Sequence, residues 1–345
     1  MIYFLNDYSV FAAGEIIEKL NEYAGEHYVG YGLDALSDSA REKLHSLLKD
    51  DGRCDIHFMV GGTQANQVMI NGMLKPYQAV IAVDSGHINV HECGAIEANG
   101  HKVETIKAVN GKMDVGKLRE LVESRDDEHM VQFGAVYISQ STELGTVYSR
   151  QELLEIRKIC HEHGLYLYID GARLGVALTA AGADLQLSDL VDICDCFYIG
   201  ATKNGGMLGE AMVVVNDELK PHFRSLMKHH GALLAKGMLA GLQFDCLFTD
   251  DLYFRLARNS NETAMKLKKG LEDLGVKFLI DSPTNQQFPI LPNEVICQLE
   301  NEFVFYQWEK GPSDTILRLV TSFSTTEEEV ECFLEAVRTA MKKRS

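Results

Sequence analysis

The chain has 345 residues, 46% of them apolar and 24% charged, enough for about two domains and a full core without disulfide or metal staples. Fifty acidic against 33 basic side chains leave a formal charge of −17. That is a poor surface for nucleic acid or an anionic membrane, because phosphate contacts need Lys and Arg. No apolar run approaches the roughly 20 residues of a spanning helix, and the N-terminus lacks the basic and small-residue pattern of a secretory leader. The eight cysteines are scattered, several in apolar runs, as reduced thiols are in a cytoplasmic protein.

In chain order, residues 1–45 read as a helix-rich segment able to pack on either domain, with capping-box spacing at Ser39-Ala40-Arg41-Glu42. Residues 46–248 alternate β-branched or aromatic runs with amphipathic helix patterns. The runs 79–83, 135–138, 165–169, 196–199 and 211–215 are predicted strands. Between the second and third, Ser149-Arg150-Gln151-Glu152 opens a helix striped by Leu153, Ile156 and Cys160 and closed by Gly164. Buried strands joined by helices define an α/β domain with a mostly parallel central sheet. Residues 249–345 change character: a helix through Ala264, Leu267 and Leu271, then short strands, then a last helix opened by Ser324-Thr325-Thr326-Glu327. They form a smaller α+β domain.

Four segments carry chemistry. Gly61-Gly62-Thr63 runs into a helix pattern; it is either a tight turn or a backbone-amide cradle for a phosphate. Its spacing fits neither a Walker loop nor a dinucleotide fingerprint. His87 follows a strand beside Gly86, as a loop histidine or one able to stack on a planar ring. Asp170 ends an apolar strand in Ile169-Asp170-Gly171-Ala172-Arg173, either capping a turn or facing a ligand, since ligands bind at the carboxyl ends of parallel strands. Lys203 lies just beyond the next strand among small residues, suited to form a Schiff base with a carbonyl. By contrast, Cys160-His161-Glu162-His163 closes an amphipathic helix and is not read as a metal site, and the aromatic group around Trp308 fits a strand of the small domain.

Taken together, phosphate cradle, stacking histidine, aspartate for a pyridine nitrogen and Schiff-base lysine occur in one order along the chain. The sequence resembles the threonine aldolase branch of the β-eliminating lyases, pyridoxal-phosphate enzymes of the aspartate-aminotransferase fold (fold type I). The resemblance rests on Gly62-Thr63-Gln64-Ala65-Asn66, His87 with Glu92, Asp170-Gly171-Ala172-Arg173 and Lys203, with Asn6-Asp7, Tyr31-Gly32-Leu33-Asp34 and Ile316-Leu317-Arg318 falling in register. It implies that Lys203 carries pyridoxal 5'-phosphate, that Gly62, Thr63 and Thr202 hold its phosphate, and that Asp170 keeps the ring nitrogen protonated. It further implies that His87 stacks on the ring and helps deprotonate a substrate β-hydroxyl, with Glu92 in support. Arg318, Arg173 and Asn6 are implied substrate contacts, Arg173 near the ring as well. The implied reaction is retro-aldol cleavage of threonine or allo-threonine to glycine and an aldehyde, in a homodimer or homotetramer. The alternative is another pyridoxal-phosphate lyase or an aminotransferase on the same scaffold. Thr202 and Asn204 flank Lys203 where the family usually has Ser and Gly. The stretch Lys228–Lys236 lacks the Arg that reaches a neighbouring subunit's phosphate.

Overall fold

A computed structural model describes residues 1–124 and 127–344. Seven strands form the central sheet: β1 (Asp55–Met59), β2 (Gln78–Val83), β3 (Lys102–Ile106), β4 (Gln132–Ser139), β5 (Tyr166–Asp170), β6 (Cys196–Gly200) and β7 (Glu210–Val214). Their spatial order is β1-β7-β6-β5-β4-β2-β3. The pairs β3–β2, β2–β4, β4–β5 and β5–β6 are parallel, whereas β7 runs antiparallel to both β6 and β1. The strands β1 and β3 lie outside the runs predicted from the sequence, because both are short and mix polar with apolar residues.

Helices cover both faces, so strand residues are buried on either side, as the uninterrupted burial of β6 and β7 shows. Alternate residues feed opposite cores. Val136, Ile138, Leu167 and Ile169 enter one, and Ala135, Tyr137 and Tyr168 enter the other. The helix Arg150–Glu162 starts at the expected capping box, with Ser149 and Glu152 exchanging bonds. Two other helix starts differ from expectation. Asp34, not Ser39, caps the helix Ala35–Leu48, accepting from the Ser37 amide, and Ser39 sits inside it bonded to Asp245. Thr326 pairs reciprocally with Glu329 at the head of the last helix, Glu327–Arg344, two residues beyond the expected box. In both cases a second hydroxyl or carboxyl nearby offered the same spacing.

The C-terminal part is an antiparallel sheet built on Asp314–Val320, flanked by Gln286–Gln287, Pro289–Pro292 and Tyr306–Lys310. Its own core includes Leu267, Leu271, Leu317, Phe333 and Val337. The N-terminal segment touches both parts: Ile2–Tyr3 pairs with Phe303–Val304, and helix 35–48 packs on Met238–Leu247. No helix among the described residues is long and apolar enough to cross a membrane.

Candidate active site

The carboxyl ends of β4, β5 and β6 and the start of β7 open into one cavity of about 450 Å³. Gly62, Thr63, His87, Asp170, Arg173, Thr202, Lys203 and Arg318 all line it. Parallel strands put these ends on one edge, where the following loops splay apart and leave room for a ligand.

Asp170 forms the floor. It is 3% exposed and accepts hydrogen bonds from Tyr137 (2.5 Å), Asn66 (3.1 Å), the Ala172 amide (3.0 Å) and the Tyr198 hydroxyl. Burial pushes its carboxyl up, but the His87 charge and these donors outweigh it and hold the group below the ordinary aspartate value. Glycine permits the arrangement at two points. A Cβ on Gly62 would lie 2.8 Å from the same Tyr198 hydroxyl, and one on Gly171 would lie 1.8 Å from the Tyr198 carbonyl oxygen.

His87 begins a short helix after β2, and its Nδ1 sits 2.7 Å from Glu92 Oε1. The same Glu92 oxygen accepts from Asn66 (2.7 Å), and Tyr168 donates to the Asn66 carbonyl (2.8 Å). Asn66 thus ties the histidine–glutamate pair to Asp170. Burial lowers the imidazole pKa, but Glu92, with Glu143 and Asp170 behind it, raises it above the usual value overall.

Lys203 follows β6 through Ala201-Thr202. Burial first, then the Arg173 guanidinium, hold its ammonium below the ordinary lysine value, against the pull of Asp7, Glu143 and Asp170. A lysine that sheds its proton more easily is a better nucleophile. The Thr202 hydroxyl is hydrogen-bonded to the Glu210 carboxyl, 3.1 Å away.

Arg173 is less free than the sequence implied. Its Nε and one terminal nitrogen form a two-point pair with buried Asp7 (2.7 and 2.9 Å), which also accepts from Asn285. What it offers the cavity is its positive charge and remaining nitrogen. Arg318 comes from the C-terminal sheet, with its guanidinium 5.9 Å from the rings of Tyr306 and Trp308 and a buried Nε that has no partner. Asn6 is not in the cavity. It lines an adjoining cleft with Tyr8, His91, Trp308 and Arg318, and its side-chain oxygen accepts from the Tyr8 amide and the Ser9 hydroxyl. The turn occupies the side-chain oxygen and leaves the amide nitrogen as a donor facing the cleft's surroundings. Tyr8, His91, Glu143 and Glu210 also line the cavity but were not singled out from the sequence. They fall in a loop, on an exposed helix end and at the start of a strand, positions with no spacing signal.

This strand order, with a lysine just past one central strand and a buried ionised aspartate ending its neighbour, defines a pyridoxal-phosphate enzyme of fold type I. A family model described as Beta-eliminating lyase matches residues 13–293, and the chain belongs to that family. It is 30% identical to a low-specificity L-threonine aldolase of a Pseudomonas species over 94% of this chain and 93% of that one. It is similar to the solved structure of Leishmania major threonine aldolase, with a TM-score of 0.97, 44% identity, and 98% and 99% of the two chains covered. Thermus thermophilus aspartate aminotransferase shares the fold, with a TM-score of 0.72 and 16% identity over 99% and 91%.

The residues present fit the cofactor. The helix Gly62–Met73 directs its first amides at one end of the cavity beside Thr63 and Thr202, and a dianionic phosphate suits that end. An acid held ionised at the floor suits a protonated ring nitrogen, and the unpartnered Arg318 Nε leaves a cation for a carboxylate.

Proposed function

We propose that the chain cleaves L-threonine or L-allo-threonine to glycine and acetaldehyde. When bound, pyridoxal phosphate supplies an aldehyde for an amino group and a ring that stabilises negative charge at the substrate Cα. Lys203 would hold the cofactor through its side-chain amine. Asp170 would keep the ring nitrogen protonated, because the Tyr137 and Tyr198 hydroxyls and the Ala172 amide that donate to it favour its ionised form even when His87 is neutral. Arg318 would take the substrate carboxylate in a planar fork and so fix the orientation of the bonds at Cα.

His87 accepts the β-hydroxyl proton at Nε2. Glu92 fixes the tautomer by accepting from Nδ1 and makes the ring more basic. As that O–H proton passes to His87, the Cα–Cβ bond breaks with its electron pair left on Cα, the aldehyde departs, and a proton returned to Cα completes glycine. The observation that carries this reading is the buried line of contacts from His87 through Glu92 and Asn66 to Asp170, which links the base to the ring-nitrogen partner. Product analysis tests it. Incubation with L-threonine and L-allo-threonine is expected to give glycine and acetaldehyde in equal amounts; ammonia with an oxo acid contradicts it.

We also infer a homo-oligomer. Phe11, Val29, Tyr31 and Leu33 are large apolar side chains exposed in the N-terminal segment, and association would take that apolar area out of water. Eight unpaired cysteines, five of them buried, suit a reducing cytoplasm.

A further inference from the structure

Glu210 is a buried titratable group in the cavity wall that the mechanism above leaves unused. It opens β7, the antiparallel strand wedged between β1 and β6. The register pairs it with Met59 on one side and Gly200 on the other. Two residues past Met59 lies Gly61, which starts the cradle at helix 62–73. Two past Gly200 lies Thr202. The carboxyl is therefore fixed between the two loops that meet at the phosphate end of the cavity, and it lines that cavity with both.

Its own bonding is incomplete. One oxygen, Oε1, is 3.1 Å from the Thr202 hydroxyl, whereas Oε2 is buried without a partner. An ionised carboxylate with a dry, bare oxygen is costly, and a neutral acid is tolerated far better. Burial pushes the group up to about 8, against the pull of Lys203 and the Thr202 hydroxyl and with Asp170 adding to the rise. The hydroxyls of Tyr168, Tyr198 and Tyr253 also feel its charge. Direction then matters. An ionised Glu210 accepts the Thr202 proton and turns that hydroxyl away from the cavity. A protonated Glu210 donates to Thr202 Oγ1 and leaves the threonine proton free to point at a phosphate oxygen.

We propose that Glu210 is a positioning residue that, in its protonated form, orients the Thr202 hydroxyl toward the cofactor phosphate. Ionisation reverses the bond and sets a negative charge beside a dianion, so cofactor affinity falls on the alkaline side. The inference rests on the phosphate lying at Thr63 and Thr202, and the variants below separate that premise from the role of Glu210.

The test is titration of cofactor-free protein with pyridoxal phosphate across neutral and alkaline pH, following the cofactor's visible absorbance. Wild-type affinity is expected to hold steady on the acid side and to weaken by up to about tenfold per pH unit above the carboxyl's pKa. Glu210→Gln, whose amide donates to Thr202 at every pH, is expected to remove that dependence. Lys203 titrates in both proteins, so the ratio of the two affinities isolates the carboxyl. Glu210→Ala is expected to bind several-fold more weakly than Glu210→Gln at every pH, and Thr202→Val to weaken binding and to shrink the difference between Glu and Gln to the part that the carboxylate charge alone contributes. An infrared band of a protonated carboxyl at neutral pH, lost in Glu210→Gln, reads the same group without cofactor.

A wild-type/Gln affinity ratio that does not vary with pH overturns the role of Glu210. Unchanged affinity in Thr202→Val overturns the phosphate placement beneath it. Thermal unfolding of each variant shows whether a loss is local or a failure to fold.

Discussion

Asp170 and Glu210 are buried carboxyl groups at the same edge of one sheet, each 3% exposed, yet they are driven in opposite directions. Burial raises both. Asp170 meets four donors and the positive field of His87 and stays ionised. Glu210 meets one side-chain partner and keeps an unpartnered oxygen, and it is pushed up to about 8. The difference shows that the charges and donors around a buried acid, rather than its depth, decide its protonation. In a pyridoxal-phosphate site it divides the labour: negative charge belongs at the ring nitrogen and must be kept from the phosphate.

The sharpest way to break this contrast is Asp170→Asn, which makes the ionised side neutral. It is expected to lower kcat by about 10³-fold with the cofactor still bound, by analogy with loss of a key charge stabiliser; steady-state kinetics with an absorbance check would show it. Next is Asp7→Asn, which strands the buried Arg173 charge. A broken buried ion pair costs about 3–5 kcal/mol, read by denaturant unfolding. Asp7 is held below its ordinary pKa. Its contribution is therefore present above the unfolded value near 3.8 and is lost as pH falls through the lower folded value, and the variant's deficit should shrink in acid.

Arg318→Lys replaces a planar fork by a point charge. It is expected to lower kcat/KM by about 10–100-fold, mostly through KM. The smallest effect is expected for Glu92→Gln. His87 accepts a proton only when neutral, so activity rises with pH through its raised pKa. Without Glu92, burial takes over and lowers that pKa. The acid limb should move to lower pH by about one unit while the plateau falls about tenfold, because the base is weaker; a pH–rate profile measures both.

Much of this was legible in the sequence because strand ends carry chemistry. Asp170, Lys203, His87 and Gly62-Thr63 each follow an apolar run and converge by topology alone. Side chains whose role depends on a partner far along the chain were not legible. Asp7 and Arg173 pair across 166 positions, and Asn66 reaches Asp170 across 104. Glu210 reads as a charge at a strand start until the antiparallel register places it between two loops. Asn6 was placed by the pattern of the family alone, and the structure adds that its side-chain oxygen closes a local turn while it lines a cleft shared with Arg318.

Lys203 as the side chain that bonds the cofactor is the point on which every other role in the site depends. Borohydride reduction of the cofactor-loaded protein, followed by peptide mass mapping, fixes that link permanently. The expected result is one pyridoxyl group per chain on Lys203 and none on the Lys203→Ala protein. A pyridoxyl group on any other lysine, or one that survives the substitution, would contradict it.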